Sequence, residues 1–329
     1  MLLKRFKNVL LIAVLSTVIF SCKDDDDRGG EIIPPRDRTE QYATDSESIE
    51  TYLETHYMTV DADLNVMIAK IPEENSSEYT SIKDQSDYPL QFITRKNDTR
   101  LSYLKGGRID DPVDYKIYYI LLNEGGGQRP TTIDSSFVDY RGWTLENQEF
   151  DRATSPVWTS FPSSTAEFIA GFRQVLPLMK TPETTIVNGD GTVSYTNYGN
   201  CVVFIPSGLG YFNNSRGLYI GPYENLVFQI KLKSLHYNDH DRDKILSKDE
   251  YYNPSGVTDI GLFNQDSDGD GIPDFLDTDD DGDGVLTRNE LKIPGTVPQL
   301  YYQFNDIPSC TGDQVDPNRL KKHLDSGCQ

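Results

Sequence analysis

Phe168-Ile-Ala-Gly-Phe-Arg-Gln-Val-Leu-Pro-Leu-Met-Lys180 and Leu226-Val-Phe-Gln-Ile-Lys-Leu232 decide the fold class of this 329-residue chain. The first stretch predicts a short helix, because its apolar residues recur every three or four positions. The second predicts a strand with one buried face, because apolar and polar residues largely alternate. Residues 115–122 and 137–145 are rich in aromatic and β-branched residues and predict further strands. We therefore expect an α+β domain in which an antiparallel sheet wraps on one short helix.

Five blocks of the sequence, taken in order, resemble the FKBP-type peptidyl-prolyl cis-trans isomerases. They are Phe137-Val-Asp-Tyr-Arg-Gly-Trp143, Glu149-Phe-Asp151, Phe168 to Lys180, Phe204-Ile-Pro-Ser-Gly-Leu-Gly-Tyr-Phe212 and Leu226 to Leu232. The resemblance implies an FKBP-like antiparallel sheet wrapped on one short helix over residues 112–236. Residues 181–200 interrupt it with a β-hairpin signature around Asn188-Gly-Asp-Gly191. We expect this hairpin to extend two existing strands rather than form a separate unit.

The resemblance also implies an activity that needs no nucleophile, metal or cofactor. Rotation about an X-Pro bond crosses a barrier of ~18–20 kcal/mol because it destroys amide resonance. A dry aromatic cup lowers the barrier by binding the twisted amide more tightly than the planar one. The matching positions are the ring walls and floor Tyr140, Phe150, Phe228 and Phe172, the lip Phe168 and Ile169, the hydroxyl donor Tyr211, the flap residue Ile220 and the buried acid Asp151.

Three functions of different classes fit this pattern. The first is an isomerase that assists the folding of proline-containing exported proteins. The second is a module that holds proline segments in the same cup without turnover. It stays open because Phe172 stands where the family commonly has Trp, and because the flap contains an unusual Arg216. The third is a structural surface protein in which a calcium array is the working part. Taken singly, each aromatic residue is more simply explained as core.

The segment from Asp239 to Glu290 carries three calcium-loop patterns. It holds sixteen acids and four bases, a net charge of −12, and it repels itself unless divalent cations neutralise it. Residues 279–290 place oxygens at positions one, three, five, seven, nine and twelve, with Gly284 at the sixth. The run resembles EF-hand loops and thrombospondin type 3-like calcium repeats. This implies a calcium-binding region over residues 237–295, followed by a tail over 296–329.

Each loop has its own predicted ligand set. Residues 239–250 have Lys244 in place of the sixth-position glycine, and residues 266–277 end in Asp rather than Glu. We expect calcium to be structural; the alternative is a disordered acidic tail. The predicted ligands are Asp239, Asp241, Asp243, Ile245, Ser247 and Glu250; Asp266, Asp268, Asp270, Ile272, Asp274 and Asp277; and Asp279, Asp281, Asp283, Val285, Thr287 and Glu290, where Ile245, Ile272 and Val285 offer main-chain carbonyls.

The N-terminal residues predict export and anchoring. Residues 1–21 resemble a lipoprotein signal peptide, with an apolar run too short to span a membrane and Cys22 placed for lipidation. An ordinary secretory signal or an N-terminal membrane anchor is the alternative. Residues 22–43 predict a flexible acidic tether. Its Asp24–Asp27 tract resembles the surface-export signal of Bacteroidetes lipoproteins, or is only a solvated spacer. We expect an outer membrane lipoprotein on the periplasmic face or the cell surface.

Residues 44–111 predict a helical prelude followed by an irregular extension. Thr44 and Glu47 form a capping box that predicts a helix beginning at Thr44. Near the other end of the chain, Cys310 and Cys328 are placed to close a disulfide in an exported protein.

Charge and composition exclude several classes of function. The formal net charge of −21 would repel nucleic acids and anionic lipid surfaces. The sequence has no CxxC pair and only four scattered His residues, so it predicts no zinc or redox site. We expect a monomer whose partners are proline-containing exported polypeptides, with the membrane reached through lipid on Cys22.

Overall fold

A computed structural model describes residues 34–98, 111–163, 168–250 and 265–328. The main-sheet strands are β3 (Leu90–Lys96), β4 (Asp114–Asn123), β5 (Ser135–Thr144), β6 (Glu149–Thr159), β9 (Asn200–Ile205) and β10 (Leu226–His236). The other elements are α1 (Arg38–Thr55), β1 (His56–Val60), β2 (Val66–Lys70), α2 (Ala170–Val175), β7 (Thr184–Val187), β8 (Val193–Thr196) and α3 (Thr287–Glu290). The main sheet has the order β3-β4-β9-β10-β5-β6, and all its pairs are antiparallel. The predicted α+β class with an antiparallel sheet is confirmed.

Helix α2 covers one face of the main sheet. Its Phe172 and Val175 are 0% exposed and belong to a core cluster with side chains from β4, β9 and β10. Gly171 permits the close approach, because a Cβ there would lie 2.3 Å from Cγ2 of Ile205. The helix is shorter than its apolar pattern, because the chain tightens into a 3₁₀ turn over Leu176–Leu178.

The opposite face of the sheet is buried too, so the expectation that β10 has one buried face is wrong. Helix α1 and the β1–β2 hairpin cover this face and shield Val227, which is 0% exposed. Gln229 is satisfied there: its Nε2 donates to the Leu64 carbonyl at 2.6 Å, and its Oε1 accepts from the Val66 N–H at 3.2 Å. An alternating strand can therefore be buried on both faces when its polar residues find partners.

Helix α1 begins at Arg38, six residues before the predicted start at Thr44. Asp37 is its N-cap, because the Asp37 carboxylate accepts from the backbone N–H groups of Thr39 and Glu40. Folded structure therefore reaches into the predicted tether. The predicted irregular extension is wrong where β1 and β2 form a hairpin and where β3 pairs with β4 as an edge strand, while residues 71–89 between them are irregular apart from one 3₁₀ turn.

The residues inserted after α2 form β7 and β8, which pair with each other in a two-stranded sheet of their own. The expectation that they extend two strands of the main sheet is therefore wrong. The N–H of Asn188 donates to the Thr192 carbonyl at 2.8 Å, and Gly191 has a φ of +84° in the turn.

The segment after β10 packs through two small apolar clusters. Ile245, Leu291 and Ile307 form one of them. The other joins Phe275 to Ile133 and Phe161, which precede α2 in the chain. A disulfide links Cys310 to Cys328. Among the helices in the described ranges, none is both long enough and apolar enough to cross a membrane.

Candidate functional site

Five aromatic rings from four elements and one loop meet at the end of α2. Tyr140 lies on β5, Phe150 on β6, Phe172 on α2 and Phe228 on β10, while Phe168 lies two residues before α2. The Phe172 and Phe228 centroids are 5.2 Å apart and edge to face. The Phe150 and Phe228 centroids are 5.4 Å apart, and those of Tyr140 and Phe172 are 5.6 Å apart. These separations are typical of packed aromatic pairs, so the residues predicted as the cup do lie together.

Gly142 makes this arrangement possible, although its sequence context does not single it out. It sits on β5 opposite Phe228. A Cβ at this position would lie 2.7 Å from ring carbons of both Phe150 and Phe228, closer than side-chain carbons approach one another. Two ring walls thus occupy the space that any larger residue would need.

A cavity of about 190 Å³ opens beside these rings. Its apolar side is formed by Phe150, Phe168, Ile169 and Phe228. Phe172, predicted as the floor, does not line it, because Phe168 stacks on the Phe172 ring at 4.5 Å between centroids and leaves it 0% exposed. The exposed floor therefore consists of Phe168 and Phe228.

The predicted flap, residues 211–220, closes the cavity on its other side. An antiparallel bridge joins Arg216 to Ile220, and Ile220 lines the cavity while only 6% exposed. Tyr211 also lines it, and the Arg216 guanidinium carbon lies 5.4 Å from the Tyr211 ring centroid. Leu218, which the sequence did not mark, belongs to the lining and is 85% exposed. The flap thus presents both an apolar side chain and a cation at the rim.

Asp151 supplies the acid at the rim, and the Tyr140 hydroxyl donates to its Oδ2 at 2.6 Å. The side chain is exposed, so the expectation of a buried acid is wrong. Burial raises the pKa of Tyr140, and the hydrogen bond to the Asp151 carboxylate raises it further. Burial also raises the pKa of Tyr211, which Arg216 opposes. Both phenols therefore stay neutral and keep their protons for donation.

A larger cleft of about 400 Å³ includes Tyr140 together with Asp139, Arg141, Arg152 and Lys231 in its lining. This cleft has charged walls and lacks the ring floor that would desolvate a proline. The smaller aromatic cavity is therefore the better match to the predicted cup.

The three predicted calcium loops share one backbone geometry. Their fourth and sixth residues have positive φ in every case. The pairs are Arg242 and Lys244, Gly269 and Gly271, and Gly282 and Gly284. In residues 266–277 and 279–290 the sixth-position N–H donates to the first aspartate, at 2.9 Å and 3.0 Å. Lys244 has a φ of +95°, a left-handed conformation for which the other two loops have glycine at the same position.

The aspartates at positions one, three and five converge in each loop. Their carboxylate oxygens lie within 4.8 Å of one another in the groups Asp239/Asp241/Asp243, Asp266/Asp268/Asp270 and Asp279/Asp281/Asp283. Glu250 and Glu290, at the twelfth positions of the outer loops, are buried. Asp277 closes the middle loop and is half-buried. The remaining predicted ligands, Ile245, Ile272 and Val285, follow the fifth-position aspartates and donate their N–H groups to them.

The ninth-position side chains have another role. Ser247 Oγ accepts from the His240 N–H at 3.1 Å, Asp274 Oδ1 from the Ser267 N–H at 2.7 Å, and Thr287 Oγ1 from the Asp280 N–H at 3.2 Å. In all three loops the side chain of the ninth residue therefore accepts a hydrogen bond from the backbone N–H of the second residue. These three side chains therefore brace the loops, and their role as calcium ligands stays a prediction.

The carboxylates fit a hard divalent cation. Buried oxygens of Asp241, Asp243, Glu250, Asp280 and Glu290 have no hydrogen-bond partner in the described part of the chain. Burial, and after it the neighbouring carboxylates, raise the pKa of Asp241 to about 8 and that of Glu290 to about 8. Calcium accepts six to eight such oxygens and would supply the missing counter-charge.

Two segments of the chain match known protein families. Residues 126–233 match the family described as FKBP-type peptidyl-prolyl cis-trans isomerase, and residues 240–317 match the family described as BamM C-terminal. A probable FKBP-type isomerase, FkpA, of Neisseria meningitidis serogroup B is 30% identical over 119 residues, 35% of this chain and 36% of that protein. The outer membrane protein MIP of Legionella longbeachae is 28% identical over 119 residues, 36% of this chain and 44% of that protein.

Two solved structures are also similar. A peptidyl-prolyl isomerase of Pseudomonas syringae pv. tomato has 26% identity and a TM-score of 0.29, covering 36% of this chain and 74% of that one. FkpA of Escherichia coli has 22% identity and a TM-score of 0.28, covering 36% of this chain and 47% of that one. The chain spans less than half the length of these two curated relatives from Neisseria and Legionella.

Proposed function

Because residues 126–233 form an FKBP-type peptidyl-prolyl cis-trans isomerase domain, we propose that the protein accelerates proline-limited folding of exported polypeptides. The observation that best supports this proposal is the aromatic cavity of Phe150, Phe168 and Phe228, with the Tyr140–Asp151 hydrogen bond at its rim. Exported clients are favoured by the predicted signal peptide and by the relative that is named as an outer membrane protein.

The cavity suits the reaction because it combines dryness with a few polar groups. A proline ring enclosed by Phe150, Phe168 and Phe228 loses its water, and so does the carbonyl that precedes it. An amide that is twisting loses its resonance and is less polar than the planar form, so it gains from this environment. The neutral Tyr211 hydroxyl lines the cavity and can donate to a peptide carbonyl.

The test is an isomerisation assay on an apolar-X-Pro peptide, using protein without residues 1–21, with and without a macrolide immunophilin ligand. We expect acceleration that the macrolide abolishes. Phe150→Ala should impair it, because removing a wall takes away apolar contact and admits water. Unchanged activity in this variant would place the pocket elsewhere.

A binding module without turnover is the second candidate. It is favoured by Phe172, which stands where the family commonly has Trp and is covered by Phe168. A folded wild type that binds a proline peptide but leaves its exchange rate unchanged would support this candidate against the isomerase.

We also infer that calcium is a structural ion of the segment after β10. The convergent aspartates, the unpartnered buried oxygens and the repeated left-handed positions support this. Three loops with the same geometry indicate one ion for each aspartate group. The third candidate, a purely structural surface protein, would retain this calcium array and lack the isomerase activity.

The membrane anchor is a further proposal, and Cys22 and residues 24–27 lie outside the described residues. Cys22→Ser should release a soluble exported protein, since acyl chains supply the membrane affinity of such a protein. Replacing Asp24–Asp27 by alanines should keep the protein membrane-bound but hide it from protease added to intact cells. Equal protease sensitivity before and after would reduce the acidic tract to a spacer.

A further inference from the structure

Asp280 is the second residue of the loop 279–290, a position that calcium loops of this spacing do not use as a ligand. It is nevertheless 1% exposed. Its backbone N–H donates to Thr287 Oγ1, yet neither of its carboxylate oxygens has a hydrogen-bond partner in the described part of the chain. A buried carboxylate without a partner is costly and calls for a counter-charge.

The Asp280 carboxylate faces a different loop. An oxygen of Asp280 lies within 4.8 Å of oxygens from Asp241 and Glu250, the third and twelfth residues of the loop 239–250. Asp280 does not belong to the carboxylate group of its own loop, which consists of Asp279, Asp281 and Asp283.

Glu250 is a second, independent sign of a ligand between these loops. It is 6% exposed, and both of its carboxylate oxygens are without hydrogen-bond partners among the described residues. The two unpartnered carboxylates of Asp280 and Glu250 therefore converge with Asp241 on one point. Three carboxylates this close together suit a hard divalent cation, because such an ion accepts several oxygen ligands and offsets their negative charge.

We propose that Asp280 is a ligand of the calcium ion held by the loop 239–250, so that this ion binds two loops together. The inference rests on the proposed calcium binding. The third loop thereby adds a carboxylate to those of the first loop, in which Lys244 takes the glycine position. The ion would fasten residue 280 to the segment that leaves β10.

The experiment counts ions bound by the full-length protein in detergent, by calcium calorimetry after chelator treatment. Asp280→Asn should weaken one site at least about tenfold, because ligand charge sets the affinity of such sites. Glu250→Gln should weaken the same site. The matched control is Asp249→Asn, because Asp249 is next to Glu250 but pairs with Lys248 Nζ at 2.7 Å; it should leave all sites intact.

The double variants decide which loop Asp280 serves. Asp280→Asn combined with Glu250→Gln should weaken one site only, the site that Glu250→Gln weakens alone. Asp280→Asn combined with Glu290→Gln should weaken two sites, because Glu290 belongs to the other loop. The reverse pattern would assign Asp280 to its own loop and overturn the proposal.

Thermal unfolding supplies a readout that a merely structural role would not give. In chelator, Asp280→Asn should raise the Tm, because it removes a buried carboxylate that lacks a partner. In calcium it should show a smaller calcium-induced rise than the wild type. A lower Tm in chelator together with unchanged calcium binding would overturn the proposal. Absence of calcium binding by the wild type would overturn both this inference and the calcium-stabilised function.

Discussion

Tyr140 shows how a single residue joins the core of the domain to its chemistry. Its ring packs against Phe172 and Phe228, while its hydroxyl reaches the rim and donates to Asp151 at 2.6 Å. Burial raises the pKa of the phenol, so the donor stays protonated across the physiological pH range. The carboxylate is thereby fixed where a bound peptide would meet it.

Tyr140→Phe should lower kcat/KM for an apolar-X-Pro peptide about tenfold. The corresponding loss of free energy is near the low end of the roughly 1.5–3 kcal/mol that a hydrogen bond to a charged group contributes. A low value is expected because Asp151 is exposed. The Tm should change little, since the ring contacts remain. Tyr119→Phe is the matched control, because Tyr119 lies on β4 and its hydroxyl donates to Gln91. Equal loss in both variants would contradict a role specific to Tyr140.

Residue exposure is the property that the sequence predicted least well. Tyr140, Phe150, Phe168 and Phe228 were identifiable from an ordered set of blocks. The covering of Phe172 depends on the rotation of Phe168, and the exposure of Asp151 depends on the edge position of β6. Neither quantity follows from residue spacing, because the first depends on the rotamer of Phe168 and the second on which strand lies at the edge of the sheet.

At the scale of elements, the strands β5, β6 and β10 bring the ring walls together only because Gly142 leaves them space. Gly142→Ala should destabilise the protein by about 1–3 kcal/mol, as expected for overpacking, and should reduce peptide turnover. Gly189→Ala is the control, because a Cβ there meets nothing within 4 Å. Chemical denaturation measures both variants, and similar midpoints would contradict the close packing described here.

The first calcium loop offers a prediction of opposite sign. Lys244 has a φ of +95°, where its counterparts are Gly271 and Gly284. Lys244→Gly should therefore raise the free energy of unfolding in calcium by about 1 kcal/mol, because glycine adopts the left-handed conformation without the steric cost of a Cβ. Lys248→Gly, at a position of the same loop without positive φ, should lower it. Tm measurements in excess calcium test the pair, and destabilisation by both would show that Lys244 is not strained.

The elements themselves were predictable to different degrees. The period-2 pattern of β10 and the helical spacing before Lys180 identified the sheet and α2. The sequence missed the start of α1 at Arg38, because the capping box at Thr44 resembles a beginning while Asp37 makes the actual cap. It also missed that α1 and the β1–β2 hairpin cover the second face of the sheet, since such packing is tertiary.

At the scale of the whole molecule, the segment after β10 should depend on calcium more than the isomerase domain does. The core cluster beneath the cup contains residues from Val113 to Leu232, whereas Phe275 contacts the domain through Ile133 and Phe161. Chelation should therefore make residues beyond 238 sensitive to protease first, while peptide turnover persists. Digestion and turnover followed together across a calcium titration measure this.

Two results of that titration would contradict the account. Protease resistance that is equal with and without calcium would refute an ion-stabilised segment. Turnover that collapses together with calcium removal would mean that the Phe275 contact makes the two regions one cooperative unit.

We propose that the aromatic cavity catalyses X-Pro rotation, and NMR exchange spectroscopy on an apolar-X-Pro peptide measures the rate of that rotation. With catalytic amounts of protein, the cis and trans signals should exchange well above the uncatalysed rate, which corresponds to tens of seconds or more. Phe228→Ala should return exchange to that baseline while the fold persists. Exchange that stays at the uncatalysed rate with the folded wild type would contradict the claim.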